Sequence, residues 1–235
     1  MTAHRRILLK LSGEVLAGKP GFGIDSEATQ RIAREIAEAA RTGVSIGVVV
    51  GGGNFFRGVK GSDAGPGRVS VDQMGMLGTA LNAIALRDHL QGLGQPAAIF
   101  SAIPMTPILD GFSLPRVLER LGNQEVVIFA GGTGNPFFST DSAAALRAAE
   151  IGASLLAKAT KVDGVYDKDP VRFPGAARYE RISYDQVLLD ELAVMDAAAV
   201  SLCRENDIPV VVFDVTVPGN IQRLVEGETI GTLID

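Results

Sequence analysis

An α/β fold with a central, mainly parallel sheet between two layers of helices is what this sequence predicts. Three observations predict it. Short apolar, β-rich runs alternate with helical patterns along the chain, and that alternation marks parallel strands joined by crossover helices. Glycine-rich and polar segments fall directly after the apolar runs, at the carboxyl ends where such sheets bind their ligands. No stretch rich in Pro, Ser or charge divides the chain, so residues 1–235 are expected to form one αβα domain.

The elements follow in order. Residues 7–11 read as a strand, apolar except for Lys10. Ser26 is the expected N-cap of a helix whose apolar stripe is Ile32, Ala33, Ile36, Ala37 and Ala40, ending at Gly43. Residues 44–50 make a second strand, 72–90 a long helix, 97–101 a third strand and 114–121 a further helix. The run 126–130, Val-Val-Ile-Phe-Ala, reads as a buried strand. After it come an alanine-rich helix at 142–151, a strand at 154–157, a helix at about 193–205 and a strand at 209–213. Residues 58–68 are expected as a mobile surface loop, and 165–178 as an irregular segment with two prolines.

Bulk properties exclude several classes. Hydrophobic residues make up 46% of 235, enough for a sizeable core. A net charge of −5 argues against a non-specific nucleic-acid binder, so an anionic substrate would need a locally basic site. One cysteine, Cys203, cannot form an intrachain disulfide and suits a reducing compartment. Met1 to Arg6 lead into a short strand rather than an apolar signal region, and no apolar run approaches the ~20 residues of a membrane span. A cytoplasmic location is expected. Two histidines and one cysteine give neither zinc-ligand spacing nor a Cys-His pair, so no protein-built metal site is expected.

Four segments at strand ends carry the chemistry. Lys10-Leu11-Ser12-Gly13-Glu14 closes the first strand. Gly51-Gly52-Gly53-Asn54-Phe55-Phe56-Arg57 closes the second, where successive glycines form an anion nest and Arg57 adds a fork for phosphate oxygens. Gly131-Gly132-Thr133-Gly134-Asn135-Pro136-Phe137-Phe138-Ser139-Thr140-Asp141 lies between a strand and a helix, offering N–H groups, hydroxyls and aromatic rings together. Lys158 to Pro170 is the fourth. One decoy is dismissed: Gly13 to Lys19 has P-loop spacing, but Pro20 stands where a metal-binding hydroxyl should be, and Gly21-Phe22-Gly23 after it will not make the helix that a P-loop requires there.

Taken in order, KLSGE, GGGNFFRG, DQMGMLGT, GTGNPFFSTDSAA and KATKVDGVYDKDP resemble the bacterial uridylate kinases of the amino-acid kinase superfamily, over nearly the whole chain. The resemblance implies the amino-acid kinase fold and transfer of the ATP γ-phosphate to UMP. By matching positions it implies that Gly52, Arg57, Asp72, Thr133, Gly134, Asn135, Pro136, Phe137, Phe138, Ser139 and Thr140 hold UMP. Lys10, Ser12, Gly13, Gly53, Thr160, Tyr166 and Asp169 would line the ATP side, with Mg²⁺ bridging ATP phosphates. It further implies a homo-oligomer, typically a hexamer, activated by GTP and inhibited by UTP. Gly18, Lys19, Pro20, Gly21, Phe22, Gly23 and Arg87 match the GTP-linked positions. Gln91, Ala98, Leu114 and Glu125, however, stand where basic or aromatic residues are expected, so that part of the pattern is only half matched. The helix around 74–90 is an expected interface or, equally, core packing.

The acceptor would be a phosphate oxygen that is already anionic, so no general base is needed; positioning and charge compensation suffice. Lys10 is the expected catalytic cation. Asp141 would orient a lysine or a metal-bound water, or serve only as a helix-start carboxylate. The sequence does not choose between Lys158 and Lys161 for a second cation; Lys161 joins Lys10 and Asp141 in the expected catalytic set. Two other readings stay open: a sister kinase acting on carbamate, glutamate or aspartate, and a non-catalytic nucleotide-binding relative on the same fold.

Overall fold

The computed structural model describes residues 5–55, 67–170, 172–192 and 194–235. Arg57 and most of the expected loop 58–68 lie outside the described residues. In chain order the elements are β1 (Arg6–Leu11), α1 (Gly13–Leu16), α2 (Ser26–Ala40), β2 (Ser45–Val50), α3 (Arg68–Gly92), β3 (Ala97–Ser101) and β4 (Asp110–Gly111). They continue with α4 (Leu114–Gly122), β5 (Val126–Ala130), α5 (Thr140–Ile151), β6 (Leu155–Thr160), β7 (Val165–Tyr166), β8 (Arg178–Tyr179) and β9 (Arg181–Ile182). Last come α6 (Tyr184–Leu189), α7 (Ala197–Glu205), β10 (Val210–Asp214), α8 (Asn220–Val225) and β11 (Thr232–Ile234).

Nine strands form one sheet in the order β4-β3-β5-β2-β1-β6-β10-β11-β9. Every neighbouring pair is parallel except β10 and β11, as the sequence predicts. Side chains alternate across the sheet. Ile7, Leu9 and Leu11 of β1 pack with the apolar faces of α2, α3 and α8, whereas Leu8 packs on the other side with α4, α5 and α7. Two cores therefore lie on the two faces. Burial on both faces explains why β1, β2, β5 and β10 are nearly unbroken apolar runs.

Two helix starts differ from the sequence expectation. Asp25, not Ser26, caps α2, because its Oδ1 accepts the Ala28 N–H at 2.8 Å. The helix expected from about 193 begins at Ala197, where Asp196 takes the cap. The two ends of the segment expected to be irregular, Val165–Tyr166 and Arg178–Tyr179, form a small antiparallel pair, β7 with β8. Gly231 has φ +67, and a Cβ there would lie 2.0 Å from Val212 O, so only glycine lets β11 turn back along β10.

Gly231→Ala should therefore lower unfolding free energy by about 2 kcal/mol or more. Urea titration checks this; a change below about 0.5 kcal/mol would contradict the packing argument.

Candidate active site

The strand register builds the centre of the site. Lys10 on β1 pairs directly with Lys158 on β6. Each follows a residue of the α4/α5/α7-side core by two positions, Leu8 and Leu156, so both ammonium groups sit on that face. Two largely buried cations side by side would repel each other strongly. Asp141, in the first turn of α5, answers both: Lys10 Nζ lies 2.8 Å from its Oδ1 and Lys158 Nζ 2.8 Å from its Oδ2. Lys158 also donates to Val194 O. Burial works against the charge on Asp141, but the two lysines outweigh it and hold the carboxyl below its ordinary range. Burial pushes Lys158 below the usual lysine range, with Asp141 opposing and Lys10 reinforcing the shift.

Asp141 is itself held in place. The Ser139 hydroxyl accepts the backbone N–H of Asp141 at 2.9 Å and of Ser142 at 3.3 Å, capping α5. That hydroxyl donates to Asp196, whose other oxygen accepts from Ser142 Oγ at 2.8 Å and from Ala199 N at 2.9 Å. One carboxylate thus ties the start of α5 to the start of α7. The sequence reading missed Asp196.

The loop before α5 is braced from α3. Gly131 N donates to Thr79 Oγ1 at 2.7 Å, and Thr133 and Asn135 bond each other locally. Phe137 N donates to Asp72 Oδ2 at 2.7 Å, while Arg68 Nε bonds both Asp72 oxygens at 2.9 and 2.8 Å. Arg68 also lies over the Phe137 ring, 5.4 Å from its centroid. Partial burial opposes the charge on Asp72, but the Arg68 and Phe137 bonds prevail and lower its pKa. Phe137 and Phe138 remain 66% and 53% exposed, an open aromatic edge beside polar backbone. Gly52 is packed on α3, where a Cβ would meet Gly75 O at 2.3 Å; Gly53 is exposed.

Ser12 caps α1 through Glu14 N at 3.4 Å, with Gly13 as the first helical residue. Thr160, Tyr166 and Asp169 all line one cavity of about 540 Å³ that Lys158 also borders. In it Tyr166 Oη donates to Asp163 at 2.7 Å. Lys161 lies elsewhere. It is exposed and lines a separate groove of about 640 Å³ with Glu14, Gly18, Lys19, Arg31 and Thr216. The cation that pairs with Asp141 alongside Lys10 is Lys158, against the expectation for Lys161. Pro20, Gly21 and Phe22 form an exposed or half-exposed turn, with Phe22 edge-on to Phe55 at 6.4 Å; Arg87 is half-buried on α3.

Two ammoniums against one carboxylate, beside a capped helix N-terminus, suit bound anions. Among the described residues no three His, Cys, Asp or Glu side chains cluster to hold a metal ion. Cys203 is buried, and burial, then the charge of Asp141, pushes its thiol up to about 12, which leaves no thiolate nucleophile.

Comparison with known proteins agrees with this geometry. Residues 5–214 match the model of the amino acid kinase family. The chain is 52% identical over 231 residues to a uridylate kinase of Legionella pneumophila (strain Paris), covering 98% of this chain and 94% of that one. It is similar in structure to the UMP kinase of Bacillus anthracis, with TM-score 0.96, 35% identity and coverage of 100% and 97%. It is also similar to that of Ureaplasma parvum, with TM-score 0.92, 34% identity and 100% of both chains covered.

Replacing Asp141 by Asn should leave Lys10 and Lys158 uncompensated and cost about 3 kcal/mol at neutral pH. The Asp141 pKa is depressed by folding, so its contribution is complete above the ordinary carboxylate range and lost as pH falls through the lowered value. The stability gap between wild type and Asp141→Asn should therefore be constant from about pH 5 to neutral pH and shrink below about pH 4. Denaturant titrations across pH check this; a gap that widens in acid would contradict it.

Proposed function

The chain belongs to the amino acid kinase family, and from that premise we propose that it transfers the γ-phosphate of ATP to UMP, giving UDP and ADP for pyrimidine nucleotide biosynthesis. The observation that carries this reading is the largely buried Lys10–Asp141–Lys158 cluster, beside a loop with exposed aromatic edges. The high identity to uridylate kinases over nearly the full length supports UMP as acceptor over the small carboxylates.

In this reading UMP lies along Gly52, Arg57, Asp72 and residues 133–140. Asp72 takes the ribose hydroxyls; its bonds to Phe137 N and Arg68 make it a fixed acceptor. The loop frames the uracil, and a pocket that bonds one base edge rejects another because buried polar groups go unpaired. ATP lies along Ser12, Gly13 and Gly53 and in the cavity of Thr160, Tyr166 and Asp169.

The attacking oxygen of UMP is anionic near neutral pH, so catalysis needs no base. Lys10 and Lys158 offset charge on the phosphoryl group as it passes between donor and acceptor oxygens. Asp141 offsets the charge of both ammoniums and aims them, and takes no proton. Mg²⁺ brought with ATP would supply charge neutralisation at the phosphates, and a site built from lysines and backbone N–H groups, with no carboxylate cluster among the described residues, fits a metal that the nucleotide would bring. Lys161, with Lys19 in the outer groove, acts on ATP affinity at most.

Exposed Leu77 and Leu81 on α3, together with a mostly apolar hollow of about 500 Å³ lined by Ile24, Phe55, Leu81, Ile84, Ala85 and Asp88, support a homo-oligomer, with a hexamer as the family-level expectation. Among the described residues no helix is long and apolar enough to cross a membrane, and the proposed location is the cytoplasm. GTP is a proposed effector acting through the turn 18–23 and Arg87, and UTP a proposed inhibitor.

The test is ADP release from ATP–Mg²⁺ with UMP, CMP, dUMP, GMP, glutamate and carbamate as parallel acceptors. Turnover with UMP and little with the others is expected; turnover only with glutamate or carbamate would move the chain to a sister activity. Lys158→Ala should lower turnover about a hundredfold or more, while Lys161→Ala should leave it within about threefold and raise the KM for ATP. Because the Lys158 pKa is lowered, the alkaline limb of kcat/KM, which reports free enzyme, should begin below the ordinary lysine pKa of about 10.4. The reverse ranking of the two lysines would overturn the assignment.

A further inference from the structure

Several loops of the site meet on one pair of asparagines. Asn54 follows the Gly51–Gly53 loop and Asn82 lies in the middle of α3; they are 1% and 0% exposed. Their amides pair face to face, Asn54 Nδ2 donating to Asn82 Oδ1 at 2.9 Å and Asn82 Nδ2 to Asn54 Oδ1 at 2.8 Å. The second hydrogen of each is used as well: Asn82 donates to Gly51 O and Asn54 to Gly23 O, both at 2.7 Å. Turning either amide over would set its oxygen against a carbonyl and orphan the partner, so each orientation is fixed by the other. Burying two amides is costly unless all their bonds are made, and here every N–H is used.

The carbonyl they hold is at the meeting point of the two half-sites. Gly51 N donates to Leu11 O at 2.9 Å, so Gly51 is fixed by β1 through its nitrogen and by α3 through its oxygen. A Cβ on Gly51 would lie 3.2 Å from Gly13 N and 3.5 Å from Thr140 Oγ1, and a Cβ on Gly13 only 2.3 Å from Asn54 Oδ1. The ATP-side turn, the start of α5 and the glycine loop therefore pack on the same few atoms. Asn54 grips the turn 18–23 twice, since its carbonyl also accepts Gly23 N at 2.9 Å.

We propose that Asn82, acting with Asn54, is a positioning residue for phosphoryl transfer. The pair fixes the Gly51–Gly53 loop against Gly13 and Thr140 and ties that loop to the turn 18–23. It acts through the loop and touches no reacting atom. This inference rests on the kinase reading above.

The test is steady-state kinetics with UMP and ATP–Mg²⁺ for wild type, Asn82→Ala, Asn54→Ser and the double variant, well below each melting temperature. Asn82→Ala should lower kcat about 30-fold or more, because small displacements at a transfer site are costly, while the KM for UMP stays within about threefold. Asn54→Ser, which leaves the Asn82–Gly51 bond in place, should lower kcat about fivefold. The double variant should be no worse than Asn82→Ala within about twofold, since both changes open the same ring. A lower melting temperature with kcat unchanged is what mere packing gives, and it would overturn the role. So would a loss confined to KM. If Asn82→Ala does not fold, Asn54→Ser decides by the same criteria. Wild type that fails to phosphorylate UMP would instead sink the kinase reading, so the two failures are distinguishable.

Discussion

The site depends on one carboxylate compensating two largely buried lysines. Parallel pairing of β1 and β6 puts Lys10 and Lys158 in register, on strands about 4.8 Å apart. At that spacing and burial, two ammoniums are tolerable only with an anion between them. Asp141 supplies it from the first turn of α5, where the helix dipole also favours negative charge. The crossover from β5 through α5 to β6 is thus more than a connection, because it delivers the counter-charge to the strand ends. The hydrogen bonds of Ser139 and Asp196 then fix the turn that carries Asp141.

Helix α3 organises the other half. Asp72 reaches Phe137, Thr79 reaches Gly131 and Asn82 reaches Gly51, so three contacts along one helix set the acceptor loop and the glycine loop together. A rigid element bracing several loops is how a transfer site keeps donor and acceptor aligned without a moving part. The outer face of the same helix carries exposed Leu77 and Leu81, so a partner seated there would press on the element that sets both loops.

Much of this was legible in the sequence, for identifiable reasons. The central strands are long apolar runs, and β1, β2, β3, β5, β6 and β10 all appear where those runs lie. The short strands β4, β7, β8, β9 and β11 have two or three residues each, too few to show a period. Lys10 stood out because it interrupts an apolar strand. Lys158 could have been chosen over Lys161 by the same logic: it follows Leu156 by two positions, as Lys10 follows Leu8, whereas Lys161 lies beyond the strand end. Asp196, Thr79 and Asn82 were not legible, since their partners are 28 to 57 residues away in sequence and only the fold brings them together. Asp25 displaced Ser26 as the α2 cap because both residue types suit the position and only the local turn decides.

The most direct test of the central claim is a single-turnover measurement of γ-phosphoryl transfer from ATP to UMP, comparing wild type with Asp141→Asn. If Asp141 organises two catalytic cations, the transfer step should slow by about a hundredfold or more while both substrate dissociation constants change little. A transfer step that stays within about twofold of wild type would contradict the account, because the ion cluster would then be structural and the chemistry would lie elsewhere.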